Sequence, residues 1–445
     1  MHNTLVGWVN VVKGYLKTPF YNNAFSIIGV QAAITILGFL FWVLVARLFS
    51  IEQVGLGTGI YSAALLLVGL AELGFGDGLI YYLPRVAHPN RLINAYFSVS
   101  GLVVLVFAGA FLFGRRIFSP GLDTALGTPL ALFGFLICTL LIHLGLLQDT
   151  LFTADRVAKY GLPKNIIAGL LRFLVFAVLL STQEWDLLLS AALSLTAGTL
   201  LIGVLYRRLE RPSLRYGLEI DPRIWTPILS FSFGNYLVNT LIALPNTLLP
   251  LMVLNQLGPT SNGYFYVAWM LSSFLTVIGR SLGTSLFVES GRELGSIGTN
   301  TLRSLIISSA ILLPTVLLLV VFSQQILLIF GRQYSLEAQG LVNLLSISCI
   351  PLAYSGIAVG VLKSQARIKE LLGLAVVFTG MHLVIASLWI DRAGLMGVGE
   401  AVLVARTISA LLAFFLAFRG QFISYGKGIR SLVVLAIESH RQASR

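Results

Sequence analysis

Charge is what this sequence has least of. Only 11% of its 445 residues are Asp, Glu, Lys or Arg, against roughly a quarter in soluble domains. So few charges cannot cover the water-exposed surface of a chain this long, which excludes a soluble globular protein. Cysteine is nearly absent as well. Cys138 and Cys349 both fall inside apolar runs, which argues against a disulfide framework or a thiolate metal site. The motifs of nucleotide, zinc and hydrolase chemistry (GxxxxGK[ST], HExxH, GxSxG) are missing, and no Cys/His cluster exists. The histidines are scattered, and His143 and His382, in separate apolar runs, read as helix-packing donors. We therefore expect no enzyme activity, no cofactor and no metal. The N-terminus has no short apolar region followed by a small-residue cleavage site, so its first apolar run reads as an uncleaved helix.

Long apolar runs are what is abundant. Hydrophobic residues make up 57% of the chain and mean hydropathy is +0.89. The expected fold is all-α: a polytopic membrane protein with about twelve transmembrane helices. The runs lie near 24–48, 56–75, 95–114, 129–152, 160–181, 186–206, 227–254, 264–288, 304–323, 338–361, 370–390 and 396–418. Twelve spans of ~20 residues consume ~240 residues, which leaves short connections and no room for a catalytic domain. Residues 1–20 and the tail 419–445, with GIRSLVVLAIESHRQ, read as amphipathic segments on the inner membrane surface.

Basic residues orient the chain. With both termini inside, every lysine falls on cytoplasmic segments, and the outer connections hold only Arg47, Arg115, Arg116, Arg332 and Arg392. The net charge of +12 would suggest nucleic acid in a soluble protein. Here it is spread along the inner face, where anionic membrane lipid accounts for it, and no nucleic-acid partner is expected. The inner (cytoplasmic) membrane is the expected location.

The densest basic stretch, residues 207–226, separates a six-helix half, 1–206, from a second, 227–418. A faint echo supports that division. LFSIEQVGLGTGIYSA follows the first run and LGPTSNGYFYVAWM the seventh, each with a Gly (Gly55, Gly263) opening a helix and a Tyr (Tyr61, Tyr266) soon after. Six helices per half makes two parallel repeats around a central cavity.

Charged groups inside spans cost several kcal/mol unless they face protein or water. Arg172, Arg280 and Arg406 are such groups, and they are the candidate substrate contacts. Arg172 has the alternative of pairing with an acid on a neighbouring helix. Arg280, between Gly279 and Gly283, is the strongest candidate. Glu72 and Glu400 are candidate ion-coupling residues, whereas Asp77, Asp149 and Glu289 read as interfacial acids in water. The seventh run adds a polar stripe. Asn235, Asn239 and Asn246 follow i, i+4, i+11 spacing on one helix face, beside Pro245 and Pro250. Such amides suit sugar hydroxyls, or serve as interhelical glue.

In several places the sequence resembles the polysaccharide transporters and O-antigen flippases. Their superfamily also holds multidrug and toxin extrusion transporters and lipid II flippases. Ala46-Arg47-Leu48 through Glu52 and Gly55 match an Arg-Leu step, acidic outer loop and helix-opening Gly. Ala71-Glu72-Leu73-Gly74, Gly263-Tyr264-Phe265, Phe330-Gly331-Arg332-Gln333-Tyr334 and Gly394 with Gly397 and Gly399 match further segments. There are departures: Pro245-Asn246-Thr247 stands where the family often has an Asp, and Val288 follows Leu286-Phe287 in place of a proline. The major facilitator signature is missing from GFGDGLIYYLPRVAHPNR.

The resemblance implies a flippase that moves a polyprenyl-pyrophosphate-linked oligosaccharide between leaflets by alternating access. Its partners would be the lipid-linked glycan, membrane lipids and a coupling ion, H+ or Na+. The alternative is an ion-coupled multidrug/cation antiporter of the related branch, which would need acidic rather than basic cavity groups. Topology is directly testable. A reporter fused after Arg215 is expected to read cytoplasmic and one at residues 259–262 external; an external signal at Arg215 would overturn the charge count.

Overall fold

The computed structural model describes the backbone of residues 19–179, 185–290, 297–365 and 367–443 and the side chains of 34–179, 185–276, 301–365 and 367–419. The expected N-terminal amphipathic segment lies almost wholly outside the described residues. Every described element is helical. The main helices are α1 (Pro19–Leu48), α2 (Ile51–Ala71), the short α3 (Phe75–Tyr82), α4 (Pro89–Phe113), α5 (Pro129–Ala154), α6 (Gly161–Leu179), α7 (Trp185–Leu209), α8 (Pro222–Ser290), α9 (Ile297–Val321), α10 (Gln339–Ser364) and α11 (Ile368–Ala443). Among the described residues, nine helices are long and apolar enough to cross a membrane. Two of these, α8 and α11, are each two helices joined at a glycine with non-helical backbone, Gly258 and Gly394. The protein is a multi-pass membrane protein.

Helix ends follow local chemistry. α2 starts at Ile51, earlier than hydropathy alone indicates, because Ser50 and Gln53 form a reciprocal capping box. It stops at Ala71 because Leu73 and Gly74 turn left-handed, with φ of 48° and 81°. Hydropathy runs straight through that turn. Gly74 tolerates it, having no Cβ, and the short α3 follows.

The chain forms two compact units. The first comprises residues 1–268, 324–339 and 390–395. Its interior holds one apolar cluster around Ile60, Leu67, Phe111, Phe135 and Leu254. A second surrounds Phe75, Tyr96, Phe152 and Tyr206. The basic linker is strapped down rather than free. Asn90 and Asn94 of α4 donate to the Ser213 and Arg215 carbonyls at 3.0 and 2.9 Å, and Arg91 pairs with Glu219 at 2.8 Å. That bond holds the Glu219 carboxyl below the usual carboxylate range. The second unit comprises 269–323, 340–389 and 396–445, with a cluster of Leu275, Leu312, Val316, Cys349 and Ala353.

Within the first unit, the two echoing glycine loops cross each other. A Cβ on Gly55 would stand 1.7 Å from the Pro259 carbonyl oxygen, and one on Gly263 2.5 Å from that of Ile51. Small residues let membrane helices approach this closely. Asn262, fully buried, then donates to the Gly55 carbonyl at 2.7 Å. Gly55→Ala forces backbone apart and is expected to destabilise by about 1–3 kcal/mol or more, read as a lowered unfolding temperature in detergent. Gly234→Ala, with nothing within 4 Å, should leave that temperature unchanged; equal behaviour of the two variants would refute the crossing.

Candidate functional site

The arginines expected to bind substrate are set in quite different surroundings. Arg172 of α6 meets no acid among the described residues. Its guanidinium lies 4.0 Å from the centroid of the Phe41 ring, 5.5 Å from Tyr61 and 5.9 Å from Trp42. Trp42 in turn packs on Tyr266 at 4.6 Å. The tyrosines of the sequence echo thus help build an aromatic box around a cation, and each close ring contributes a cation–π attraction. The Nε and Nη2 atoms of Arg172 have no hydrogen-bond partner.

Arg406 lies in the second unit and is 4% exposed. Its Nη1 donates to Ser348 Oγ at 2.8 Å and lies 3.6 Å from Cys349 Sγ. Its guanidinium lies 5.2 Å from the Trp269 centroid, and its Nε has no partner. His382, buried in the same unit, places Nδ1 2.7 Å from the Phe378 carbonyl of its own helix and leaves Nε2 unpartnered. His143 does link helices, pairing through Nε2 with Ser100 Oγ at 2.7 Å. The side chain of Arg280 lies outside the described residues.

The amide stripe survives as a surface. Asn235, Asn239 and Asn246 are all exposed on α8, whereas Tyr236 and Val238 turn inward. The Tyr236 hydroxyl donates to the Leu70 carbonyl at 2.8 Å, and Ser232 and Tyr236 pack on Gly74. This seats the α2–α3 turn, with its exposed Glu72, beside the stripe in the first unit. Glu400 is exposed on α11 in the second unit.

One functional-looking pair is missed by sequence reading. Lys164, fully buried, reaches Asp149 at 2.7 Å and the Gly145 carbonyl at 2.6 Å. Sequence reading places Lys164 among the inner-surface charges and Asp149 in water. Their i, i+15 separation across a helix turn carries no recognisable signal. Removing Asp149 would leave the buried Lys164 ammonium without a counter-charge, a destabilising change.

Three of the segments behind the family resemblance, around Arg47, Tyr264 and Tyr334, meet in the first unit. Arg47 donates to the carbonyls of Ile329 and Leu328, both at 2.7 Å, and Tyr264 packs edge-on against Tyr334 at 5.6 Å. Residues 20–288 match the family described as polysaccharide biosynthesis protein. The chain belongs to that family. No curated protein matches it, but solved structures share its fold. An inward-facing MATE family transporter of the MOP superfamily aligns with a TM-score of 0.68 at 14% identity, covering 90% of this chain and 99% of that one. Lipid II flippase MurJ in an inward closed conformation gives 0.70 at 15% identity, covering 88% and 87%. A MOP superfamily transporter from Pyrococcus furiosus, described by the reverse polarity of its binding pocket, gives 0.57 at 14%, covering 90% and 93%. The chain is thus a polysaccharide biosynthesis family member that shares the fold of these structures.

Accessibility tests the stripe. Because Cys138 and Cys349 are buried, the native chain gives a quiet labelling background. Cysteines at positions 235 and 239 are expected to react with a charged thiol reagent in membranes, and one at 238 to stay inert. Uniform inertness would show that lipid or protein covers the amides.

Proposed function

We propose that this protein moves a lipid-linked oligosaccharide, a glycan on polyprenyl pyrophosphate, across the cytoplasmic membrane by alternating access, with both termini cytoplasmic. The observation that carries the reading is a pair of span-embedded guanidiniums, Arg172 and Arg406, with no carboxylate partner among the described residues. A membrane span does not retain such cations without use, and unspent guanidinium donors suit phosphate oxygens. In this conformation those donors are sealed; an alternating cycle would present them in turn. Arg280 would supply the first grip on pyrophosphate, and the exposed amides of Asn235, Asn239 and Asn246 would handle sugar hydroxyls. Glu72 and Glu400, both exposed, would carry a coupling ion, H+ or Na+.

A cation antiporter is the second reading, favoured by the shared fold with the MATE structure. The aromatic box argues against it. Rings that would hold a cationic substrate already hold Arg172.

Arg280 decides between the two. Arg280→Ala is expected to abolish surface glycan at normal membrane abundance, and Arg280→Lys to reduce it several-fold by losing the forked grip. Drug susceptibility should not change. Full glycan export by the alanine variant, or loss of drug resistance in its place, would sink the flippase reading.

A further inference from the structure

The strap between α7 and α8 is fixed along its backbone but not covered. Residues 214–221 carry neither helix nor turn. Besides the bonds from Asn90 and Asn94, the Glu219 amide donates to Ser98 Oγ at 3.1 Å, and the Trp225 indole donates to the Ile220 carbonyl at 3.3 Å. Leu214, fully buried, plugs the strap into the cluster around Tyr96 and Tyr206. Three apolar side chains are left pointing out: Tyr216 is 52% exposed, Leu218 94% and Ile220 65%. They cannot turn inward without breaking those bonds. Exposed apolar groups clustered in this way mark a surface that something else covers.

The anchors fix the level of this surface. Asn90, Asn94 and Ser98 stand at i, i+4 and i+8 on α4, so the strap climbs ~12 Å along that helix. α4 has 25 residues and qualifies as a membrane span. Its ~37 Å exceeds the ~30 Å hydrocarbon thickness. Leu218 therefore sits where headgroups give way to acyl chains.

Charge identifies the occupant. Nearby cations are mostly spent within the chain: Arg91 pairs with Glu219, Lys159 with Glu210 and Arg211 with Asp155. Arg207, Arg208 and Arg215 are exposed, and no acid pairs with them among the described residues. Free guanidiniums beside outward aliphatic groups need a partner with both a phosphate and a chain. A phospholipid has both, and net negative charge on the headgroup strengthens the attraction.

We propose that the strap is a docking site for anionic phospholipid. Arg207, Arg208 and Arg215 gather the headgroups, and Leu218 and Ile220 enter the acyl boundary beneath them. The site rests on the cytoplasmic placement of the linker and is independent of what the protein transports.

The test places an environment-sensitive fluorophore on Leu218→Cys in the purified full-length chain, where both native cysteines are buried. Vesicles contain phosphatidylglycerol and phosphatidylcholine in one fixed ratio, and the bromine quencher is carried by one lipid or the other at equal mole fraction. Brominated phosphatidylglycerol is expected to quench about twofold more strongly than brominated phosphatidylcholine. A label on Leu200→Cys, exposed on α7, should show no preference. Replacing Arg207, Arg208 and Arg215 together by Gln should equalise the two lipids at position 218 while both still quench. Raised salt should do the same with the arginines intact. Ile220→Cys repeats the measurement should Leu218→Cys fold poorly. Equal quenching in the unaltered strap, or the same preference at position 200, overturns the site. So does a preference that survives both arginine replacement and salt. Absence of quenching by either lipid overturns it as well, and leaves the apolar tip to water or a protein partner. Failure of the export reading would change none of these outcomes.

Discussion

No water is available in the hydrocarbon of a bilayer to satisfy a polar group, so each one must find its partner within the chain. Much of this structure follows from that requirement. Lys164 is fully buried and yet satisfied, by Asp149 and by a backbone carbonyl at once. His143 and Ser100 answer each other across two helices. Asn262 closes the tightest helix crossing by donating to the carbonyl that the missing Cβ of Gly55 leaves approachable. Even the basic linker is pinned by amides spaced one helical turn apart on α4.

Against that background some buried polar atoms among the described residues have no partner, on Arg172, Arg406 and Tyr334 and equally on Tyr96, Ser308 and Asn343. The orphan donors of Arg172 and Arg406 and the phenol of Tyr334 are all strong hydrogen-bonding groups left idle. Leaving one unpaired is costly in any protein. On the export reading proposed above, the idle arginine donors are the ones a phosphate-bearing substrate would use. The aromatic box around Arg172 is the compromise. Ring faces attract a guanidinium without consuming its hydrogen bonds, so the charge is held while Nε and Nη2 stay uncommitted.

The all-helical, membrane-embedded character of the chain is written in its composition, but helix ends depart from hydropathy by up to seven residues at the starts, and α11 runs on to Ala443, through the tail expected as a separate segment from 419. What hydropathy cannot register is backbone detail: the left-handed Leu73-Gly74 turn ends α2 inside an apolar stretch, and α3 emerges unannounced. The amide stripe was legible because helical periodicity alone puts Asn235, Asn239 and Asn246 on one face. The surroundings of Arg172 were not. An acid was one expected partner, but the rings of Phe41, Trp42 and Tyr61 come from two other helices, and aromatic residues are too common in membrane spans for spacing to reveal them. The Asp149–Lys164 pair escaped for the same reason: only folding brings its members together.

Arg47 closes α1 onto carbonyls that lie 282 residues further along the chain. During synthesis the chain emerges from its N-terminus, so this first helix enters the bilayer long before its clamp exists. Until the segment ending at Ile329 has been made, the exposed Arg47 guanidinium has only water in place of those carbonyl acceptors. Biogenesis therefore has an order imposed on it: α1 is made long before the carbonyls that its Arg47 clamps, so that contact can close only after the Leu328–Ile329 segment has been synthesised.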